Sequence, residues 1–259
     1  MLTLRQRLFS TCNLEKLIHS KNWEEVKSFT DQNSEELHKF LQGSVFHSER
    51  QNISYLRFTQ QYEDEGFKVL SSVLSQHEPM AKALKVTENQ VYKNICKNMF
   101  VQSKYSDLSL IAKHKDEVVA ASVTLDWHNQ SRRAPKTPEE NEFWEKVQPL
   151  VNFLHKSNLI EANEEGKVAH EINTAVKPEW WNHGIASASI AIRLACYRLL
   201  GYKYFIVECG FGSSYANRVY SKYLQFGTEM LYEDYVYQGN KPFESLEGGY
   251  LFLYQDLQS

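Results

Sequence analysis

The chain has 259 residues, with 29 Lys+Arg, 32 Asp+Glu and a formal net charge of -3, a balance that excludes a general nucleic-acid binder, which needs a concentrated excess of Lys and Arg. The length suits one large domain or a core domain with an extension, and 15 Tyr and 14 Phe bring enough apolar surface to exclude long disorder. No apolar run approaches the ~20 residues that cross a bilayer, so no membrane partner is expected.

The first residues, MLTLRQRLFSTCNLEKLI, lack the uninterrupted apolar stretch of a secretory signal, which makes an intracellular, cytoplasmic protein the expectation. Residues 1–50 read as an N-terminal helical extension: Leu14, Leu17 and Ile18 recur at helical spacing, as do Trp23, Val26 and Phe29. Ser34 reads as the cap of a helix through Leu37, Phe40 and Leu41 that ends near Gly43. From there the pattern changes. Ile53, Tyr55 and Phe58 mark a strand, and Glu63-Asp64-Glu65 opens a helix carrying Phe67, Val69, Leu70, Val73 and Leu74. A second helix is predicted over 87–103. Leu108–Ala112 and Val118–Leu125 read as strands joined by a polar hairpin turn at 113–117.

Residues 128–165 are polar and read as an insertion, with a short helix around Glu142–Leu154, near the mouth of a substrate site. Val168–Val176 then reads as a buried strand, followed by Pro178, a turn, and a long apolar helix over Ser187–Leu200. Tyr204–Cys209 is a further buried strand, Ser213–Tyr223 a helix, and Tyr232–Tyr237 and Tyr250–Tyr254 the last strands. Strands and helices alternate, which indicates a mixed α/β sheet. The four cysteines, Cys12, Cys96, Cys196 and Cys209, are scattered and match neither a disulfide framework nor zinc-ligand spacing, so no metal is expected.

The turn Trp181-Asn182-His183-Gly184-Ile185-Ala186 feeds a helix N-terminus. Helix starts carry unpaired N–H groups and partial positive charge, which suits a phosphate or pyrophosphate. Gly184 and Ala186 would let the backbone approach such an anion closely. The dinucleotide-binding and P-loop glycine patterns are both absent from the sequence.

The stretch Ala175-Val176-Lys177-Pro178-Glu179-Trp180 through Ala186 resembles motif A of the GNAT N-acetyltransferase superfamily. In that motif Val-x-Pro-Glu leads into Arg/Gln-x-x-Gly-x-Gly/Ala, and the turn amides hold the pyrophosphate of acetyl-CoA. Trp181 departs from the usual Arg or Gln. The run Ser213-x-x-Ala216-x-x-Val219-Tyr220-x-Lys222 is similar to the superfamily helix beside the pantetheine arm, with Ser213 in place of Asn. Ser75-Gln76-His77-Glu78-Pro79-Met80 resembles the Glu-Pro-Leu loop of insect-type arylalkylamine N-acetyltransferases.

These resemblances imply a GNAT-like α/β fold over 51–259, with a mixed, mostly antiparallel sheet flanked by helices. They imply acetyl-CoA as co-substrate and a small primary amine, an arylalkylamine or polyamine, as acceptor. They place the pyrophosphate and pantetheine contacts at Ala175, Val176, Trp181, Asn182, His183, Gly184, Ile185, Ala186 and Ser213. By the same resemblance Glu78 is the general base and Tyr220 the acid for the leaving thiolate. His170 resembles the first of two histidines in vertebrate-type serotonin N-acetyltransferase, the second position being Ile172 here. Strand alternation puts His170 on the face of Val176 and Glu171 on the other. A non-catalytic acyl-CoA-binding module and an acyltransferase for a protein amine are the alternatives.

Overall fold

The computed structural model describes residues 14–93, 109–130, 138–157, 164–210 and 218–259. Three short helices come first: α1 (Glu15–Ile18), α2 (Trp23–Gln32) and α3 (Ser34–Leu41). The Asn22 side chain caps α2 by accepting from the Glu25 amide at 3.0 Å. Ser34 is the first residue of α3 rather than its cap; Asn33 holds the cap position and its amide donates back to Phe29 O at 2.9 Å.

Strand β1 (Phe46–Ser48) falls within the 1–50 stretch expected to be helical, and hairpins onto β2 (Ile53–Arg57). Next come α4 (Glu63–His77), α5 (Pro79–Ala83) and α6 (Glu88–Gln90), whose start is a Thr87/Gln90 capping box. Residues 91–93 continue α6 as a π-helical turn, and the part of the helix expected over 94–103 lies outside the described residues. Hairpin strands β3 (Leu110–His114) and β4 (Glu117–Asp126) lead into α7 (Trp127–Gln130) and α8 (Pro138–Ser157). The chain closes with β5 (Val168–Val176), α9 (Ile185–Leu199), β6 (Tyr204–Gly210), β7 (Gln225–Leu231) and β8 (Gly249–Asp256).

The eight strands form one sheet in the order β1-β2-β3-β4-β5-β6-β8-β7. Every neighbouring pair is antiparallel except β5–β6, which is parallel with α9 as its crossover. The fold is therefore the mixed, mostly antiparallel α/β sheet that was expected. Tyr232–Tyr237 is not the late strand. That strand is β7, at the sheet edge and largely exposed, so it carries no apolar alternation to read. The tyrosines instead pack around Phe243 in the following loop, Tyr232 at 5.9 Å and Tyr235 at 5.7 Å between ring centroids.

One sheet face is covered by α9 and by α1–α3, whose Leu17, Val26, Leu37 and Phe40 share a single core with Ile190, Leu194 and Phe205. On the opposite face α4 packs over β4, with Phe67 and Leu70 against Val123 and Leu125. Leu154 of α8 meets Ile206 and Phe252 further along that face. Among the described residues no helix is long and apolar enough to cross a membrane.

Phe40 has no exposed surface in the core it shares with α9, so Phe40→Ala should lower the unfolding free energy by about 3–5 kcal/mol in a urea titration. A loss below about 1 kcal/mol would show that α3 is not part of that core.

Candidate functional site

The site begins with an irregularity in β5. Val123 pairs with Asn173 and Thr124 with Glu171, so Ile172 is an extra residue opposite β4. Such a β-bulge shifts the side-chain alternation by one position. Glu171 and Val176 consequently both face α9: Val176 belongs to the same buried cluster as Ala120, Ala169 and Ile185, while Glu171 reaches Arg193. His170 points to the other face, with its ring 5.1 Å from Trp127 and 5.7 Å from His155. The expectation from simple alternation, His170 with Val176 and Glu171 opposite, is thereby reversed.

The second irregularity is a parting of strands. The β5–β6 ladder runs over Val168–Glu171 and Tyr204–Val207 and stops there, while Glu208–Gly210 remain paired to β8. A cavity of about 420 Å³ occupies the gap. Its walls are the end of α4 (Val73, Leu74, His77) with Glu78 and Pro79, β5 from Glu171 to Val176, whose edge is free beyond Glu171, β6 from Val207 to Gly210, and Trp181, Tyr220 and Tyr250.

Glu78 sits between α4 and α5. Its Oε2 caps α5 by accepting from the Ala81 amide at 2.5 Å, with Pro79 at the first helical position. Its Oε1 is buried without a hydrogen-bond partner. Burial pushes the carboxyl up to about 7, against the pull of the Ala81 and Met80 amides.

Across the cavity, the buried Tyr220 hydroxyl donates to Glu171 Oε1 at 2.5 Å. Burial, reinforced by the Glu171 charge, holds that hydroxyl well above its ordinary 10.0. Glu171, 1 % exposed, pairs through Oε2 with Arg193 Nη1 at 2.9 Å, and Arg193 is 0 % exposed. The guanidinium also donates to Ser189 O (3.2 Å), Thr124 Oγ1 (3.0 Å) and Thr174 Oγ1 (3.4 Å). This charge pair ties α9 to the strand bearing the bulge.

On the opposite face Glu208 accepts from His170 Nε2 at 2.7 Å on one oxygen and from His155 Nε2 on the other. Burial disfavours the Glu208 charge, but the His170 and His155 imidazoles outweigh it and hold the carboxyl well below its usual range. His155, His170 and Glu208 have metal-ligand chemistry, with their ligand atoms within 4.8 Å of one another. Each Nε2 is engaged with the Glu208 carboxylate.

The turn before α9 is built for close approach. Asn182 (φ 65) and Gly184 (φ 78) are left-handed, and Gly184 occupies the α9 cap position. The first intrahelical bond runs from Ala188 N to Gly184 O at 3.0 Å, so the amides of the preceding turn have no intrahelical acceptor. Gln51 fixes the turn, donating to His183 O at 3.0 Å while accepting from the Tyr55 hydroxyl at 2.6 Å. A Cβ added at Gly184 would lie 3.2 Å from the Gln51 amide nitrogen. Trp181 leans into the cavity, its indole N–H donating to Val176 O at 2.6 Å and His77 packed on its ring at 4.8 Å.

Glu78, Tyr220, Ala175, Val176 and Trp181 therefore line one cavity, with Asn182, His183, Gly184, Ile185 and Ala186 in the adjoining turn. His170 touches the site through Glu208 rather than lining it. Ser213 lies outside the described residues. Arg193 and Glu208 are polar residues that sequence reasoning missed, and Glu171 is one that it named but put on the wrong face. Arg193 alone had a visible signal, a charge in the middle of the apolar run IASASIAIRLACYRL.

No protein-family model and no curated protein matches the chain. Solved structures do. A putative arylalkylamine N-acetyltransferase 7 from the yellow fever mosquito Aedes aegypti is 12% identical, with TM-score 0.66 over 83% of this chain and 95% of that one. The C-terminal condensation domain of Ebony, solved with beta-alanyl-dopamine, is 10% identical, with TM-score 0.64 over 79% and 98%. A Drosophila melanogaster polyamine N-acetyltransferase that forms N-acetylagmatine is 13% identical, with TM-score 0.57 over 79% and 99%. The likeness is one of fold, and the fold is that of the GNAT acetyltransferases.

Removing Arg193 would strand a buried carboxylate, so Arg193→Met should cost about 3–5 kcal/mol of unfolding free energy. Adding Glu171→Gln should restore much of that loss; a double variant no more stable than the summed singles would show that the pair is not coupled.

Proposed function

We propose that the protein transfers an acetyl group from acetyl-CoA to a small primary amine. The catalytic unit is residues 51–259, with 1–50 as an extension whose described helices α1–α3 pack against α9. The observation that carries this reading is the parted β5–β6 edge, which brings a buried carboxyl pushed up to about 7 and a buried tyrosine to one cavity beside a left-handed helix-start turn. The fold likeness supports the reading, and the residues supply its chemistry.

The acceptor must be a free amine. An alkyl ammonium of pKa near ~10 is deprotonated at neutral pH at a cost of roughly 4 kcal/mol. Glu78 takes that proton, directly or through one water, and a carboxylate raised toward neutrality is well matched to the task. The nitrogen then attacks the thioester carbonyl. A C–N bond forms, the C–S bond breaks, and the products are the acetylated amine and CoA thiol. Backbone amides on the β5 edge near Val176 stabilise the transient oxyanion. Tyr220, whose hydroxyl rests on Glu171, gives its proton to the leaving sulfur; Glu78 releases the first proton to solvent, collects the second proton that the nitrogen sheds once the C–N bond has formed, and returns that one to Tyr220. The turn from Trp181 to Ala186 holds the pyrophosphate through backbone amides. His170 acts through Glu208 rather than on the amine.

One observation favours a second reading, an acyl-CoA-binding module without turnover. The Trp181 indole already donates to Val176 O on the strand edge where the pantetheine arm would lie. A panel of amines with acetyl-CoA and free-thiol detection separates the two: amine-dependent thiol release supports transfer, and binding without release supports the module.

Glu78 must be ionised to accept a proton, so kcat/KM should climb as pH rises through about 7. Glu78→Gln should lower it by about 10²-fold or more and flatten that limb while keeping the α5 cap. An unchanged pH profile would remove Glu78 from the mechanism. Gly184→Val, forced into φ 78, should weaken acetyl-CoA binding about tenfold in calorimetry. Unaltered affinity would defeat the pyrophosphate assignment.

A further inference from the structure

Resting on the transfer reaction above, we infer that Glu208 anchors a second cationic group on the acceptor, so that short α,ω-diamines are favoured over monoamines of the same length. The lining of the cavity contains three carboxylates, Glu78, Glu171 and Glu208, and no Lys or Arg among the described residues. Glu171 is answered by Arg193. Glu78 is the one that can exchange a proton. Glu208 remains.

Its position suits an anchor. Glu208 follows directly after Val207, the last β6 residue paired with β5, and so stands where the strands part. Its side chain is 7% exposed and lines the cavity. Two imidazoles from separate elements, His170 on β5 and His155 on α8, each hold one of its oxygens. They are walled in by Trp127, 4.4 Å from His155 and 5.1 Å from His170, and by Phe252 at 5.5 Å from His155.

A carboxylate offers about four lone-pair sites, so two fixed donors orient it and leave sites for a ligand. The cavity thus presents two carboxyls from different elements, Glu78 at the end of α4 and Glu208 on β6. A monoamine meets one of them; a diamine meets both.

The test compares 1,4-diaminobutane with 1-aminopentane, which match in length and differ in the second cation. In Glu208→Gln, KM for the diamine should rise about tenfold or more, and the preference for the diamine over the monoamine in kcat/KM should fall by about the same factor. His155→Gln, a milder change at a positioning residue, should raise KM for the diamine about threefold more than KM for the monoamine and covers the case in which Glu208→Gln does not fold. Equal effects on both amines, or none, would overturn the anchor. So would diamine binding that a chelator abolishes in the wild-type protein, which would assign the cluster to a metal. Calorimetry with 1,4-diaminobutane separates this inference from the reaction it rests on. Glu208-dependent binding without thiol release keeps the anchor and defeats the transfer. Turnover of 1-aminopentane with no preference for the diamine keeps the transfer and defeats the anchor.

Discussion

The single extra residue in β5, Ile172, is the constraint from which the site follows. A strand that keeps strict alternation would send Glu171 and Val176 to opposite faces. With the bulge, both face α9, and Glu171 meets Arg193 at 2.9 Å inside the core. That charge pair is enclosed between the sheet and the crossover helix. Just beyond it the parallel ladder ends, because β6 continues with β8 and β5 continues with β4. Two strands fed by different partners diverge, and the divergence is the cavity.

Around that cavity the protein places like groups in unlike surroundings. Glu78 is a helix cap with one oxygen satisfied and one buried without a partner, so burial dominates. Glu208 is equally enclosed but is held by two imidazoles, so its charge is retained. Glu171 is neutralised by Arg193 and in turn keeps the Tyr220 proton in place. In the proposed reaction the same side chain would serve as base, anchor or strut according to what its neighbours do to its ionised form. The polar insertion expected near the substrate mouth delivers His155 from α8, and so contributes to the site through Glu208.

Much of this was legible in the chain. The helix start at Glu63, the β3–β4 hairpin, the apolar crossover helix and the turn at Gly184 all appear where periodicity and turn chemistry put them. Glu78 and Tyr220 were readable through resemblance, Glu78 in the Glu78-Pro79 loop and Tyr220 in the run from Ser213 to Lys222. The edge strand β7 was not, since an exposed strand carries no alternation, and tyrosines buried around Phe243 imitate one.

What the sequence determined by itself were features set by near neighbours along the chain: the order of elements, the acidic helix starts, the left-handed glycine at the mouth of α9. The tertiary structure decided which titratable groups meet. His170 and Glu208 are 38 residues apart, and Tyr220 and Glu171 are 49 apart. A one-residue bulge chose the face on which Glu171 and His170 fall, because alternation of period two is reversed by any odd insertion. Strand register depends on pairing with a distant segment, and only the folded sheet supplies that partner.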